Sequence, residues 1–340
     1  MKILIVASTM VHIKNFHIPY IEAFKKQGHD VFLMTTSDTA DFNIPFKKKA
    51  FSLKNLFLSF KIRKILKKER FDAVLTHTTL AAFWTRFAMK GLKNKPVTVN
   101  TVHGYLFSKE SSFLKKKLYL LAEKVVRKCT DYIFVMNEED YVIATQNKLC
   151  EKQVVFINGM GVNLDKMGLD GIEIAEREAL ELTYVGEISG RKNQIFLVKA
   201  LTRIPNAHLT LVGDGDEREN IEKYAEKHGV ADRLTVTGFT KDVKKYLANT
   251  DIYVSASTIE GLPFNIIEAM AMHLPIVASD VKGQNDLLTS AELYSLNDLD
   301  AFVERVKNTE LGARKYDIEK YKLENALEKN MRLYIEALTK

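Results

Sequence analysis

The sequence predicts an α/β protein made of two doubly wound, parallel-sheet domains, and three observations predict it. Short apolar, β-rich runs alternate with longer amphipathic ones, the pattern of βαβ units. The alternation restarts after a loop from Asn158 to Lys166. The chain has 340 residues, more than a single hydrophobic core usually fills.

The elements follow in order. KILIVAS, from Lys2, is a buried strand. It is too short for a signal peptide, with one lysine before the apolar run and His12, Lys14 and Asn15 soon after it. The amphipathic run from Pro19 to His29 is stopped by Gly28, a residue that readily takes the left-handed conformation at a helix end. DVFLMTT, DAVLTHT, VTVNTVHG and DYIFVMN read as further strands, separated by helical runs from Leu53 to Arg70, through Trp84, and from Ser112 to Cys129. The second half repeats the scheme. ELTYVGEIS, HLTLVGDG, RLTVTGF, DIYVSAS and PIVASD are strands, and helices are predicted from Lys192 to Leu201, Glu217 to His228 and Phe264 to Met272. A charged amphipathic helix from about Asp317 to Leu338 closes the chain. The expected domains are 1–163 and 164–316, with 317–340 returning to the first.

Composition narrows the function. No run approaches the roughly 18 apolar residues of a membrane span. Cys129 and Cys150 are too few and too scattered for a disulfide framework or a zinc site, and they suit a reducing cytoplasm. Through Asp165 the chain carries 27 Lys and Arg against 14 Asp and Glu; beyond it, 23 against 29. A basic first half beside an acidic second half suggests that only the first faces an anionic partner. Its basic residues lack the aromatic interleaving of a nucleic-acid binder, so no nucleic-acid partner is expected.

Ligands of open parallel sheets bind beyond the carboxyl ends of the strands, so the loops that follow strands hold the candidates. In STIEGLPFNIIEAMAMHLP, Pro263 suits the first position of a helix. Gly261, Leu262, Phe264 and Asn265 then present backbone N–H groups at a helix start, where an anion such as a diphosphate is held. Glu260 and Glu268 flank that start and are better suited to hydroxyls than to phosphate. In YVGEISGRKNQ, Arg191 and Lys192 are cations between a strand and a helix, placed to stabilise charge on a departing diphosphate. Gly213-Asp214-Gly215-Asp216 is a turn that lets a nucleotide approach the backbone. Arg218 stands where a dinucleotide fingerprint needs its third glycine, and the two aspartates read as turn chemistry rather than a metal pair.

The two glutamates separated by seven residues carry a signature: here the chain resembles the retaining glycosyltransferases of family 4. The resemblance covers nearly the whole length and is densest from Leu182 to Asp280. It implies the GT-B fold, two Rossmann-like doubly wound domains facing across a cleft. By the same resemblance Glu260 grips hydroxyls of the transferred sugar and Glu268 the ribose, the amides of Gly261 and Leu262 meet the diphosphate, and Lys192 binds phosphate. Many relatives place an arginine directly after the strand's glycine. This chain has Glu187 after Gly186, and Arg191 is the substitute. Gly238 and Phe239 stand where relatives meet the nucleobase. His103, in VNTVHGY, matches histidines that hold the donor sugar at the reaction centre, with Asn137 placed similarly after its own strand.

The first loop, TMVHIKNFHIP, lacks the paired glycines of many relatives and carries His12, Asn15 and His17. It resembles the subgroup that builds capsule or exopolysaccharide repeats, and is read as the acceptor side. The basic stretches Lys54 to Arg70 and Lys115 to Lys128 would meet anionic headgroups, with Leu56, Phe57, Phe60 and Leu66 facing the membrane. The expected activity is transfer, with retention, of a hexose or N-acetylhexosamine from a nucleotide diphosphate sugar, a UDP-sugar by preference. The expected acceptor is a lipid-linked saccharide at the inner face of the bacterial cell membrane. No cofactor and no metal are expected. A nucleotide-sugar epimerase is the enzyme alternative, and a nucleic-acid-binding protein the non-enzyme one.

Overall fold

The computed structural model describes residues 1–47, 52–165, 167 and 178–340. The chain forms two compact units, Met1–Gly161 with Leu323–Lys340, and Val162–Lys322. The sequence places the cuts at 163/164 and 316/317; packing places them elsewhere. A Cβ on Gly161 would lie 2.7 Å from Leu323 Cα, so Gly161 already packs on the closing helix. Val162 bridges to Lys322, its N–H donating to Tyr321 O at 2.8 Å, which ties together the two ends of the second unit.

The first unit runs β1 (Lys2–Thr9), α1 (Met10–Phe16), α2 (Ile18–Lys26), β2 (Asp30–Thr36), β3 (Phe42–Asn43), α3 (Leu53–Glu69) and β4 (Ala73–His77). It continues with α4 (Thr79–Ala88), β5 (Val97–Thr101), α5 (Phe113–Val126), β6 (Tyr132–Val135), α6 (Glu138–Gln146) and β7 (Gln153–Phe156). The sheet order is β3-β2-β1-β4-β5-β6-β7, with parallel pairing. The order reverses at β1, which opens a crevice beyond the carboxyl ends of β1 and β4. All five residues of β4 are buried, as expected of a central strand covered on both faces. Arg86 of α4 and Glu123 of α5 form a buried two-pronged ion pair at 2.9 and 3.0 Å that fixes the two helices.

Two expectations for this unit are corrected. The segment from Thr9 to Pro19 is not a loop: it forms α1 and the start of α2. Thr9 caps α1 by accepting from the His12 N–H, Ile13 is fully buried beneath it, and Pro19 opens α2. On α3, Leu66 is buried in the core against Leu4 and Val74, and Leu56 is half-buried, so neither forms an outer face. Leu53, Phe57 and Phe60 form the exposed apolar part of that helix.

The second unit runs β8 (Leu180–Val185), α7 (Gln194–Leu201), β9 (Ala207–Val212), α8 (Arg218–Lys227), β10 (Leu234–Val236) and α9 (Val243–Ala248). Next come β11 (Ile252–Ser255), α10 (Phe264–Ala271), β12 (Ile276–Ser279), β13 (Leu293–Tyr294) and α11 (Leu299–Asn308). Its order, β10-β9-β8-β11-β12-β13, repeats the permutation of the first sheet. Helix α7 begins two residues later than predicted because Asn193 takes a left-handed conformation, φ 57°. Lys192 therefore sits in the turn before the helix.

Helix α12 (Leu323–Thr339) belongs to the first unit. Asn330, fully buried, donates to Tyr20 Oη at 2.9 Å and Gly159 O at 2.7 Å, and Tyr334 Oη lies 2.7 Å from Thr101 Oγ1. Burial of Tyr334 against Tyr20, Phe24 and Phe134 contributes about 2–3 kcal/mol. Among the described residues no helix is long and apolar enough to cross a membrane.

Candidate functional site

In the second unit the loops after β8, β9 and β11 interlock. A Cβ on Gly213 would lie 2.0 Å from Gly186 O, and one on Gly215 2.1 Å from Ile188 O. Gly186 and Gly213 both have positive φ, at 145° and 151°, so only glycine lets these two strand ends touch backbone to backbone. Asp214 accepts from the Gly215 N–H at 2.9 Å and lies 3.7 Å from Arg218, which is turn chemistry. Gly238, also at positive φ, bridges to Gly213, and Phe239 beside it is 81% exposed.

The turn between β8 and α7 docks on the loop after β11. The Thr258 N–H and hydroxyl both donate to Arg191 O, at 2.9 and 3.0 Å. This brings Lys192 Nζ within 2.5 Å of Glu260 Oε1 and Arg191 Nη1 within 3.1 Å of Glu260 Oε2. Glu260 is only 7% exposed. Burial works against its charge, but Lys192 and Arg191 outweigh burial and hold the carboxyl below its ordinary range. Lys192 and Arg191, expected at phosphate, and Glu260, expected at the sugar, thus neutralise one another. Opposite charges withdrawn from water are stable only as such a group.

Helix α10 starts at Phe264 as expected, with Pro263 as its cap residue rather than its first helical position. Asn265 pins that turn to β8, its Nδ2 donating to Val185 O at 2.7 Å. Gly261 and Leu262 lie half-buried just before the helix. Phe264 opens it, packing with Leu262 around Ile267 and Tyr321. Glu268, one turn further, has no cation among the described residues to offset its burial, which pushes its carboxyl up to about 7. The helix start therefore has one carboxylate held charged and one poised to titrate near neutral pH.

In the first unit four histidines meet at the carboxyl ends of β1, β4 and β5, three neighbouring strands. His12 and His17 come from α1 and its end, His77 ends β4, and His103 follows β5. His17 and His77 have ring centroids 3.9 Å apart, His12 and His103 4.6 Å, and His77 Nδ1 lies 3.3 Å from His103 Nε2. Burial, reinforced by the neighbouring rings, lowers His17, His77 and His103 well below the ordinary histidine range. Burial lowers His12 to about 4. All four imidazoles are neutral at pH 7. Asn15 is exposed on α1. Asn137 is fully buried and caps α6, accepting from the Asp140 N–H at 2.8 Å and donating to its carboxylate at 2.9 Å.

The comparisons with known proteins agree across both units. Residues 173–332 match the model described as "Glycosyl transferases group 1", and residues 20–162 match that described as "Glycosyltransferase Family 4". This chain is a glycosyltransferase of the family 4 type. Its relatives include EpsD of Bacillus subtilis (strain 168), a glycosyltransferase by name, at 28% identity over 90% of this chain and 86% of that one. Another is the UDP-Gal:alpha-D-GlcNAc-diphosphoundecaprenol alpha-1,3-galactosyltransferase of Escherichia coli. It is 28% identical over 74% of this chain and 69% of its own. Among solved structures, the apo lipopolysaccharide outer core galactosyltransferase WaaB superposes with a TM-score of 0.71 at 19% identity. The match covers 98% of this chain and 100% of that one. Anabaena HepE in complex with UDP-glucose gives 0.67 at 16% identity, covering 100% and 96%. At these identities the likeness concerns the fold, which is GT-B. Both family models are of glycosyltransferases, which does not favour the epimerase.

Within each unit of the glycosyltransferase the candidates cluster. Gly186, Arg191, Lys192, Gly213, Asp214, Gly238, Phe239, Glu260, Gly261, Leu262, Pro263, Phe264 and Glu268 all lie on strand-end loops or on α10 of the second unit. His12, Asn15, His17, His103 and Asn137 lie in the first. Sequence reasoning missed His77, Gly283 and Gln284. A Cβ on Gly283, φ 82°, would lie 2.7 Å from Gly261 O, so this glycine lets the loop after β12 press on the diphosphate candidate. Gln284 is buried, donating to Ser255 Oγ at 2.6 Å and accepting from Ser279 Oγ at 3.0 Å, which locks that loop onto β11 and β12. His77 was legible as a polar residue ending a buried strand. Nothing local marks the other two.

Proposed function

We propose that the glycosyltransferase moves a hexose or N-acetylhexosamine from a UDP-sugar to a lipid-linked saccharide diphosphate, with retention at the anomeric carbon and without a metal at the diphosphate. The observation that carries this reading is the buried group of Lys192, Arg191 and Glu260 beside the start of α10. A diphosphate entering there takes Glu260's place as counter-anion of the two cations, which frees both carboxylate oxygens for sugar hydroxyls. Glu268 is set for the ribose. Gly261 and Leu262 offer backbone amides to the diphosphate, and Gly238 and Phe239 lie at the base. In the first unit His103 is set for the donor sugar, and His12, Asn15 and His17 for the acceptor.

In the reaction the bond from the anomeric carbon to the diphosphate oxygen breaks, and the acceptor oxygen bonds that carbon on the same face. The acceptor's proton passes to the departing diphosphate. No protein nucleophile is invoked, so catalysis is positioning plus charge stabilisation. The E. coli relative's name, a UDP-galactose enzyme acting on a diphosphoundecaprenol-linked sugar, supports both substrate classes.

We further propose that the first unit works at the inner face of the membrane. Exposed Leu53, Phe57 and Phe60 on α3, and Phe113, Leu114, Leu118 and Leu121 on α5, stand among lysines that suit anionic headgroups. A cavity of about 560 Å³ lined by Lys90, Lys95, Lys124, Arg127 and Lys128 adds to that charge.

The test is turnover of UDP-sugars with a polyprenyl-diphosphate-linked N-acetylglucosamine acceptor, in the presence of a chelator. UDP release that requires the acceptor, with the anomeric configuration kept in the product, is expected. Lys192→Ala should lower the rate by roughly 10²–10³. Consumption of donor without UDP release, or near-normal turnover in Lys192→Ala, would overturn the reading.

A further inference from the structure

The four-histidine cluster of the first unit has a chemistry that sugar transfer does not require. Two of its members, His12 and His17, bury an Nε2 that has no hydrogen-bond partner among the described residues, and His17 is 1% exposed. A buried polar atom left unpaired destabilises a fold by about 1–3 kcal/mol, so two of them in one cluster mark the place of something that engages them. His12, His17 and His103 each offer a ring nitrogen, and the three nitrogens lie within 4.8 Å of one another. We infer that these three imidazoles form a binding site for a divalent transition cation, zinc above all.

Zn–N bonds of about 2.0–2.1 Å put tetrahedral ligand nitrogens about 3.3 Å apart. Neutral rings supply the lone pairs a cation needs, and burial already keeps these rings neutral. The donor set selects the metal. Three imidazoles with no carboxylate or thiolate among them suit zinc, copper or nickel, and do not suit magnesium or calcium, which take oxygen. His77 completes the site from behind. Its Nδ1 lies 3.3 Å from His103 Nε2, where it can accept that nitrogen's proton and leave His103 Nδ1 to the cation, as outer partners of metal-bound histidines do. Three protein ligands leave a fourth tetrahedral position for water or a substrate oxygen.

The inference is tested apart from the proposed transfer reaction, because a cation here competes with the donor sugar for His103 and with the acceptor for His12 and His17. It is tested by binding alone, on the full chain stripped with a chelator. Cobalt(II) should give the intense visible bands of a tetrahedral complex with nitrogen ligands, and zinc should displace it at one equivalent. Competition with a chromophoric chelator should show zinc held at least about tenfold more weakly by each of His12→Ala, His17→Ala and His103→Ala. His228→Ala, on the exposed end of α8, should bind as the unsubstituted chain does. Circular dichroism checks that each variant folds, and the cobalt spectrum of the unsubstituted chain decides the question even where one does not. Absence of those bands, or equal zinc affinity in the unsubstituted chain and in a folded triple variant, overturns the site.

Discussion

Glu268 gives the most quantitative test of how the second unit is built. Its carboxyl is half-buried in α10 without a cation among the described residues, and this withdrawal from water raises it from 4.5 to about 7. The penalty of a raised carboxyl grows over the pH range in which the unfolded chain has lost a proton that the folded chain keeps. The penalty is absent below pH 4.5, grows as pH rises toward 7 and is constant above it. At about 1.4 kcal/mol for each tenfold change in proton affinity, it amounts to about 0.8 kcal/mol at pH 5, about 2 at pH 6 and about 3 from pH 7 upward. Glu268→Gln removes the titration and keeps the shape. Its stability relative to the unsubstituted chain should therefore rise by about 2.5 kcal/mol between pH 5 and pH 8, whatever constant offset the amide introduces. Urea unfolding at pH 5, 6, 7 and 8 measures this. A difference that stays flat across that range would refute the reasoning. The same carboxyl should lose its proton when ribose hydroxyls donate to it, because such bonds favour the charged form. Donor binding at pH 6.5 should then release a proton, visible as a binding heat that changes with the ionisation enthalpy of the buffer.

Two further outcomes follow from the structure. Gly213→Ala forces a Cβ to within 2.0 Å of Gly186 O at a φ of 151°, and should destabilise the chain by about 3 kcal/mol or more. Gly190→Ala, where the added carbon meets nothing within 4 Å, should change stability by no more than about 0.5 kcal/mol. Thermal or urea unfolding separates the two, and equal effects would contradict the close-approach argument. Replacing exposed Leu114 and Leu118 of α5 by glutamate should weaken sedimentation with anionic vesicles at least about tenfold with no loss of melting temperature. Unchanged sedimentation would remove the membrane role of that helix.

Much of the candidate site was legible because its signals are local. The strand-then-turn runs ending in Gly186 and Gly213 announce loops at carboxyl edges, and Pro263 places a helix start within one residue. Between Thr9 and Pro19 a loop was expected, yet Thr9, Ile13 and Pro19 are a cap, a buried anchor and a helix opener, and these decide the conformation. The basic segment from Leu53 announces its helix and misleads at Leu66, which turns inward. Periodicity shows that a face exists and is silent about what covers it.

By itself the sequence determined the class of the fold, because parallel strands buried on both faces need unbroken apolar runs alternating with amphipathic helices. It also determined where the groups proposed to face the diphosphate stand along the chain, because backbone amides at a helix start and cations in a strand-end turn are properties of a few consecutive residues. Only the tertiary structure decided which charges meet. Lys192 and Glu260 lie in different loops, and strand order alone brings β8 and β11 side by side. Only the tertiary structure gathered His12, His17, His77 and His103, spread over four segments, into one dry cluster at the end of three neighbouring strands. Charge balance and desolvation depend on neighbours distant in sequence, and no local pattern encodes them.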